Sequence, residues 1–139
     1  LRPPALDELS FKEALHHLLN EFAFAERGIR CRFDYRLTAT PESETVRFTL
    51  YRLLQELLNN VCKHADASEV AIALFQQGAL LRLEVKDNGI GTSPDKMAGF
   101  GIQGMRERVS ALGGDLTLES QHGTRIIVNL PTNLQQTAG

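Results

Sequence analysis

The chain has 139 residues, 42% of them apolar and 23% charged, with a formal net charge of −2. That length fits one domain able to bury a core without disulfide or metal staples. The near-neutral balance excludes a broad basic field for nucleic acid and an acidic solvating tail. With no apolar run near the ~18 residues of a bilayer span and no signal-peptide pattern, a domain in the cytoplasm without direct membrane contact is expected.

"LRPPALDELS" opens without Met and carries two prolines, so residues 1–9 are expected to be a linker from a preceding segment of a longer protein. Ser10 with Glu13 forms a capping box, and apolar residues follow at Ala14, Leu15, Leu18, Leu19 and Phe22. This predicts a helix over about 11–27, closed by Gly28. "IRCRFDYRL" alternates strictly, with Ile29, Cys31, Phe33, Tyr35 and Leu37 facing one way, and predicts a half-buried strand. Residues 39–45 form a polar loop and helix start. The next helix carries Leu50, Leu54, Leu57 and Val61 at spacings 4, 3 and 4. Cys31 and Cys62 match no metal or redox spacing and are expected to be small, reduced core residues.

"EVAIALFQQ" (69–77) and "ALLRLEVKD" (79–87) predict a hairpin around Gly78, followed by a glycine-rich loop. "GMRERVSALGG" (104–114) predicts a short helix stopped by Gly113–Gly114. "DLTLES" and "TRIIVNLP" predict a last hairpin around His122–Gly123, and residues 132–139 a polar tail. Strands in hairpins with a few helices imply an α+β two-layer sandwich, its domain spanning residues 10–131.

Three stretches resist a packing explanation. In "QELLNNVCKHA" (55–65), Glu56, Asn59, Asn60, Lys63 and His64 share one helical stripe, yet paired asparagines are poor helix formers. "DNGIG" (87–91) contains the Asn-Gly turn signal, but no strand begins for over twenty residues, so a tight hairpin fails. "GFGIQGM" (99–105) fits G-x-G-x-x-G, but it follows a loop and precedes a hairpin, which rejects a dinucleotide fold. Its glycines and the following helix N-terminus, expected near Gly104, instead suit an anion. An acid, amides, a lysine and an imidazole beside a phosphate cradle match the needs of a magnesium-bound nucleotide.

In this order, these stretches and the final "GTRIIVNLP" resemble the four nucleotide motifs of the GHKL ATPase superfamily, which includes gyrase, Hsp90, MutL and histidine kinases. "LRPPALDELSFKEAL", "LYRLLQELLNNVCKHA" and "GIQGMRERVSALGGDLTLES" resemble the catalytic ATP-binding domain of two-component sensor histidine kinases, in the subgroup of the nitrate and hexose-phosphate sensors. The resemblance covers about residues 1–131. It implies the Bergerat fold, with a mixed sheet backed by helices, and ATP and Mg²⁺ as ligands. Asp87 would accept from the adenine amino group, Gly89 and Gly91 would turn the chain beside the base, and Thr124 would stand near both. Asn60 would bind Mg²⁺, Glu56 would be the acid/base, and Lys63 and His64 would lie near the phosphates. Gly99, Gly101 and Gly104 would form a lid hinge and phosphate contacts, with Ile102 and Met105 of the same motif in the nucleotide site.

The implied partners are dimerisation helices carrying the phosphoacceptor histidine, in the same or a partner chain, and the receiver domain of a response regulator. The whole protein would be membrane-anchored. The phosphoacceptor motif is absent: His16 and His17 lie on the first helix without it and are expected to be surface or packing residues. The lid is short, with seven residues between Gly91 and Gly99. A serine kinase of the anti-sigma-factor type and a non-catalytic nucleotide sensor are the alternatives. Glu56 argues against the sensor, and "GMRERVSALGG" with the "LRPP" start argues against the serine kinase.

Overall fold

Ser10 caps the first helix, its hydroxyl accepting from the Glu13 N–H at 3.2 Å, and α1 runs Phe11–Phe22 in the computed structural model. The described residues are 9–64, 66–91 and 101–132; the expected linker (save Leu9), Gly99 and nearly all of the expected tail lie outside them, as does the His64 side chain. The helix predicted to residue 27 stops earlier. Ala23 adopts φ 49°, and a separate 3-10 turn, Phe24–Arg27, follows before Gly28. At ~100° per residue, a continuous helix would point Phe22 and Phe24 about 200° apart. The break instead stacks their rings at 5.5 Å and buries Phe24 in the core.

Strands and helices then follow as β1 (Arg30–Tyr35), α2 (Glu44–His64), β2 (Glu69–Gln77), β3 (Leu80–Asp87), α3 (Ile102–Ala111), β4 (Asp115–Ser120) and β5 (Thr124–Pro131). The Ser43 hydroxyl accepts from the Val46 N–H at 3.2 Å and opens α2. The five strands form one sheet in the order β1-β2-β3-β5-β4. β1 and β2 are parallel across the α2 crossover, and every other pair is antiparallel, so the sheet is mixed.

Register separates the two faces by the period-2 rule. One row reads Phe33, Ile72, Val85, Ile126, Leu118 and the next Tyr35, Leu74, Leu83, Val128, Leu116. Both rows join the core with Leu15 and Leu18 of α1, Leu54, Leu57 and Val61 of α2, and Met105 and Val109 of α3. The neighbouring row on the opposite face is Arg32, Ala71, Lys86, Arg125, Glu119. The architecture is therefore an α+β two-layer sandwich with its helices on one face. Leu53 and Leu58 are buried beside the expected stripe of α2. Burying each such leucine contributes about 1.5–3 kcal/mol, which fixes the helix's depth and rotation and leaves only a narrow polar stripe.

Two other expectations need correcting. Cys31 is exposed and so is not a core residue, while Cys62 is partly buried and packs against the margin of the core. Alternation correctly assigned Cys31 to the core-facing side of β1, but β1 is an edge strand, where Cys31 stays exposed. The last helix begins at Ile102, not near Gly104, because Ile102 is itself buried and continues the Met105–Val109 seam by one more turn. No helix among the described residues is long and apolar enough to cross a membrane.

Candidate functional site

Asp87 ends β3 on the core face and is 6% exposed, the one buried charged side chain among the described residues. Its Oδ1 accepts from the Gly89 N–H at 2.9 Å. Burial pushes its carboxyl above the usual range, while backbone hydrogen bonds from Gly89 and Thr124 oppose that rise. Thr124 stands directly opposite Asp87 in the β3–β5 register, as the resemblance implied.

The corner is built by close approach. A Cβ on Gly123 would lie 2.0 Å from the Asp87 carbonyl oxygen, and one on Gly91 would lie 2.7 Å from the Ser120 Oγ. The "DNGIG" loop therefore rests on the β4–β5 turn, with Gly123 against the backbone of Asp87 and Gly91 against the Ser120 hydroxyl. Asn88 secures the other side. Its Oδ1 accepts from the N–H groups of Ser68 and Glu69 at 2.9 and 2.8 Å, and its Nδ2 donates to the Ser68 Oγ at 2.8 Å. Sequence reasoning spent Asn88 on a turn signal; its actual role is to tie the end of β3 to the start of β2.

On α2, Glu56 and Asn60 are half-buried while Asn59 and Lys63 are exposed, so the stripe lies along the helix margin. α2 packs on β3 and against α3. Arg108 of α3 donates through Nη2 to both Glu56 oxygens at 2.7 Å. Sequence reasoning missed this residue, since "GMRERVSALGG" offers several charges and nothing local says which one turns toward α2.

At the start of α3, Gly101 is the N-cap, with φ 74° and no side-chain cap. The first N–H groups of any helix lack intrahelical acceptors and carry the positive end of its dipole, which suits phosphate. The Ile102 and Met105 side chains are buried in the core, and the Met105 N–H donates to the Gly101 carbonyl at 3.1 Å, so neither side chain lines an open site. Gly104 is exposed, and a Cβ there would meet no protein atom within 4 Å. Among the described residues no contact requires a glycine at this position. Gly104→Ala should therefore raise unfolding stability by about 0.5–1 kcal/mol from helix propensity. If the open space is the phosphate cradle, the same substitution should weaken nucleotide binding; calorimetric titration with ATP, run beside thermal melts, checks both.

Three further histidines have contacts or exposure of their own. His16 meets Phe33 edge-on at 5.0 Å, His17 pairs with Glu21 at 2.9 Å, and His122 is exposed in the β4–β5 turn. Among the described residues no group of three or more His, Cys, Asp or Glu could hold a metal.

A family model described as histidine kinase-, DNA gyrase B- and HSP90-like ATPase matches residues 45–134. Over 132 residues, 94% of this chain, it is 48% identical to the signal transduction histidine-protein kinase/phosphatase UhpB of Salmonella typhimurium. It is 38% identical to the sensor histidine kinase LiaS of Bacillus subtilis, again over 94% of the chain. The chain spans 26% and 37% of the length of these relatives. Among solved structures, the histidine kinase AdeS of Acinetobacter baumannii aligns with a TM-score of 0.70 at 19% identity, covering 88% of this chain and 65% of that one. At that identity the likeness speaks for the fold alone.

Proposed function

Because the chain belongs to the histidine kinase-, DNA gyrase B- and HSP90-like ATPase family, as a catalytic ATP-binding domain of the sensor histidine kinase type, we propose that it transfers the γ-phosphate of Mg·ATP to a histidine. The acceptor imidazole would be presented by a dimerisation helix of the same or a partner chain. The phosphate would then pass to the receiver domain of a response regulator, on the cytoplasmic side of a membrane-anchored protein.

The observation that carries this reading is Asp87: a buried carboxylate, held by backbone amides and with no salt bridge among the described residues. An ion pair would explain such a group as structure, whereas a free lone pair at the end of a strand can read an exocyclic amino group. Gly89, Gly91 and Thr124 would shape the space around the base. The N–H groups at the start of α3 would hold phosphate oxygens, with Gly101 and Gly104 keeping the approach open. Lys63, exposed at the end of the stripe, would balance phosphate charge, and His64 and Gly99 are placed there by resemblance alone.

Magnesium fits this donor set as an ion carried largely by the substrate. With no carboxylate cluster among the described residues, the Asn60 amide oxygen would be its protein ligand, beside phosphates and waters. When bound, it would neutralise charge on the phosphates. Transfer of this kind depends mainly on positioning and charge stabilisation. Glu56 would accept a hydrogen bond from the far nitrogen of the attacking imidazole, making the near nitrogen more nucleophilic.

The test mixes this chain with a purified histidine-bearing helical hairpin and labelled Mg·ATP, followed by assay for an acid-labile phosphohistidine. Glu56→Gln should slow transfer about 10²-fold or more while leaving the ATP dissociation constant within about twofold. Phosphoserine in place of phosphohistidine, or no transfer at all, would overturn the assignment.

A further inference from the structure

The two arginines of "MRERV" take different roles. Arg106 donates through Nε to the Leu116 carbonyl at 3.3 Å and so ties α3 to β4. Arg108 turns the other way, its Nη2 lying 2.7 Å from both Oε1 and Oε2 of Glu56. Its Nε lies 3.4 Å from the Gly104 carbonyl one turn back, which aims the guanidinium along α3 toward the helix start. The side chains of Arg108 and Glu56 keep 45% and 33% of their exposure. In solvent of high dielectric, an ion pair like this adds little to stability. Its content is geometric: it removes rotamer freedom from a flexible carboxylate at the polar stripe of α2.

We propose that Arg108 is the positioning residue for Glu56 in phosphoryl transfer, an inference that rests on the acid/base reading above. One nitrogen bridging both oxygens occupies the inner edge of the carboxylate. An outward lone pair remains on each oxygen, so Glu56 can be held by Arg108 and still accept from an imidazole N–H. Charge-assisted contacts at 2.7 Å are short and directional, which suits orientation of a proton-accepting group. The arrangement also joins two functions mechanically. The helix whose first N–H groups would hold the phosphates is the helix that orients the acid, so phosphate seating and proton acceptance share one rigid element.

The experiment measures ATP dissociation constants, melting temperatures and single-turnover transfer rates for four variants: Arg108→Ala, Arg108→Lys, Glu56→Gln, and Arg108→Ala with Glu56→Gln. Arg108→Ala should slow transfer about ten- to hundredfold, the scale of a misplaced catalytic group, with ATP affinity within about twofold of the parent. Arg108→Lys should recover part of that rate. In the Glu56→Gln background, loss of Arg108 should cause no further slowing, because both changes remove one unit.

Fully additive rate losses would overturn the proposal. So would a selective loss of ATP over AMP affinity in Arg108→Ala, which would make Arg108 a phosphate ligand. Slowed transfer in Glu56→Gln with normal transfer in Arg108→Ala would sink the positioning role alone. Unchanged transfer in Glu56→Gln would sink the acid/base reading, and this role with it.

Discussion

Gly123→Ala should lower unfolding stability by about 3–5 kcal/mol, combining a strained left-handed backbone with a contact no real Cβ makes. Gly123 has φ 117°, and a Cβ added there would end 2.0 Å from the Asp87 carbonyl oxygen and 3.0 Å from the Asn88 Cα. Both neighbours are backbone, so no side chain can rotate away. Relief would require β3 and β5 to part where Asp87 faces Thr124. Gly78 provides the control. It also has positive φ, at 62°, but nothing lies within 4 Å, so Gly78→Ala should cost only about 1 kcal/mol. Thermal melts of both variants decide the matter, with an expected drop of roughly 10–20 °C for Gly123→Ala. Equal effects at the two positions would mean that backbone strain alone operates and the close approach does not.

Asp87→Asn should lower ATP affinity by about 1–3 kcal/mol, roughly five- to 150-fold, since an amide can present its N–H₂ to the adenine amino group and leave that group unpaired. The same change should not destabilise the protein, and the sign follows from linkage. Burial raises the folded-state pKa of Asp87 above the ordinary aspartate value of 3.8. Between the unfolded and folded pKa values the native state therefore holds more proton than the unfolded chain, and Asp87's contribution to stability falls as pH rises through that window. At neutral pH the buried charge is a cost, which asparagine removes while its carbonyl can still accept from the Gly89 N–H. The stability of Asp87→Asn relative to the parent should thus improve from about pH 3 to pH 7. Denaturant melts across that range, paired with ATP titrations, would show the two effects running in opposite directions. An unchanged ATP dissociation constant would remove Asp87 from the adenine site.

A buried carboxylate held at a stability cost differs from those elements in which local sequence and fold agree. The Ser10 and Ser43 caps, the Leu50–Leu54–Leu57–Val61 stripe and the hairpins around Gly78 and Gly123 rest on interactions within a few residues. Short-range periodicity and capping were enough to predict each of them except the Ser43 cap, where only a polar loop and helix start were expected. The odd polar stripe on α2 was equally legible, because asparagine pairs contradict helix propensity and demanded another reason.

Where sequence reasoning failed, the deciding contact was distant or the neighbour was missing. Periodicity put Cys31 on the inward side of β1, but only strand order shows that it sits on an edge strand, where it stays exposed. The end of α1 was set by stacking of Phe22 on Phe24, and the start of α3 by burial of Ile102.

The sequence by itself therefore determined most of the elements, the α+β class and the residue types of a candidate nucleotide site, since these depend on spacing along the chain. Only the tertiary structure decided which groups meet: Arg108 with Glu56 across 52 positions, Asn88 with Ser68 across 20, and Gly123 against the backbone of Asp87. Such contacts depend on strand order, register and the rotation of each helix about its own axis. Those are set by burial of the whole core, and no local run of residues encodes them.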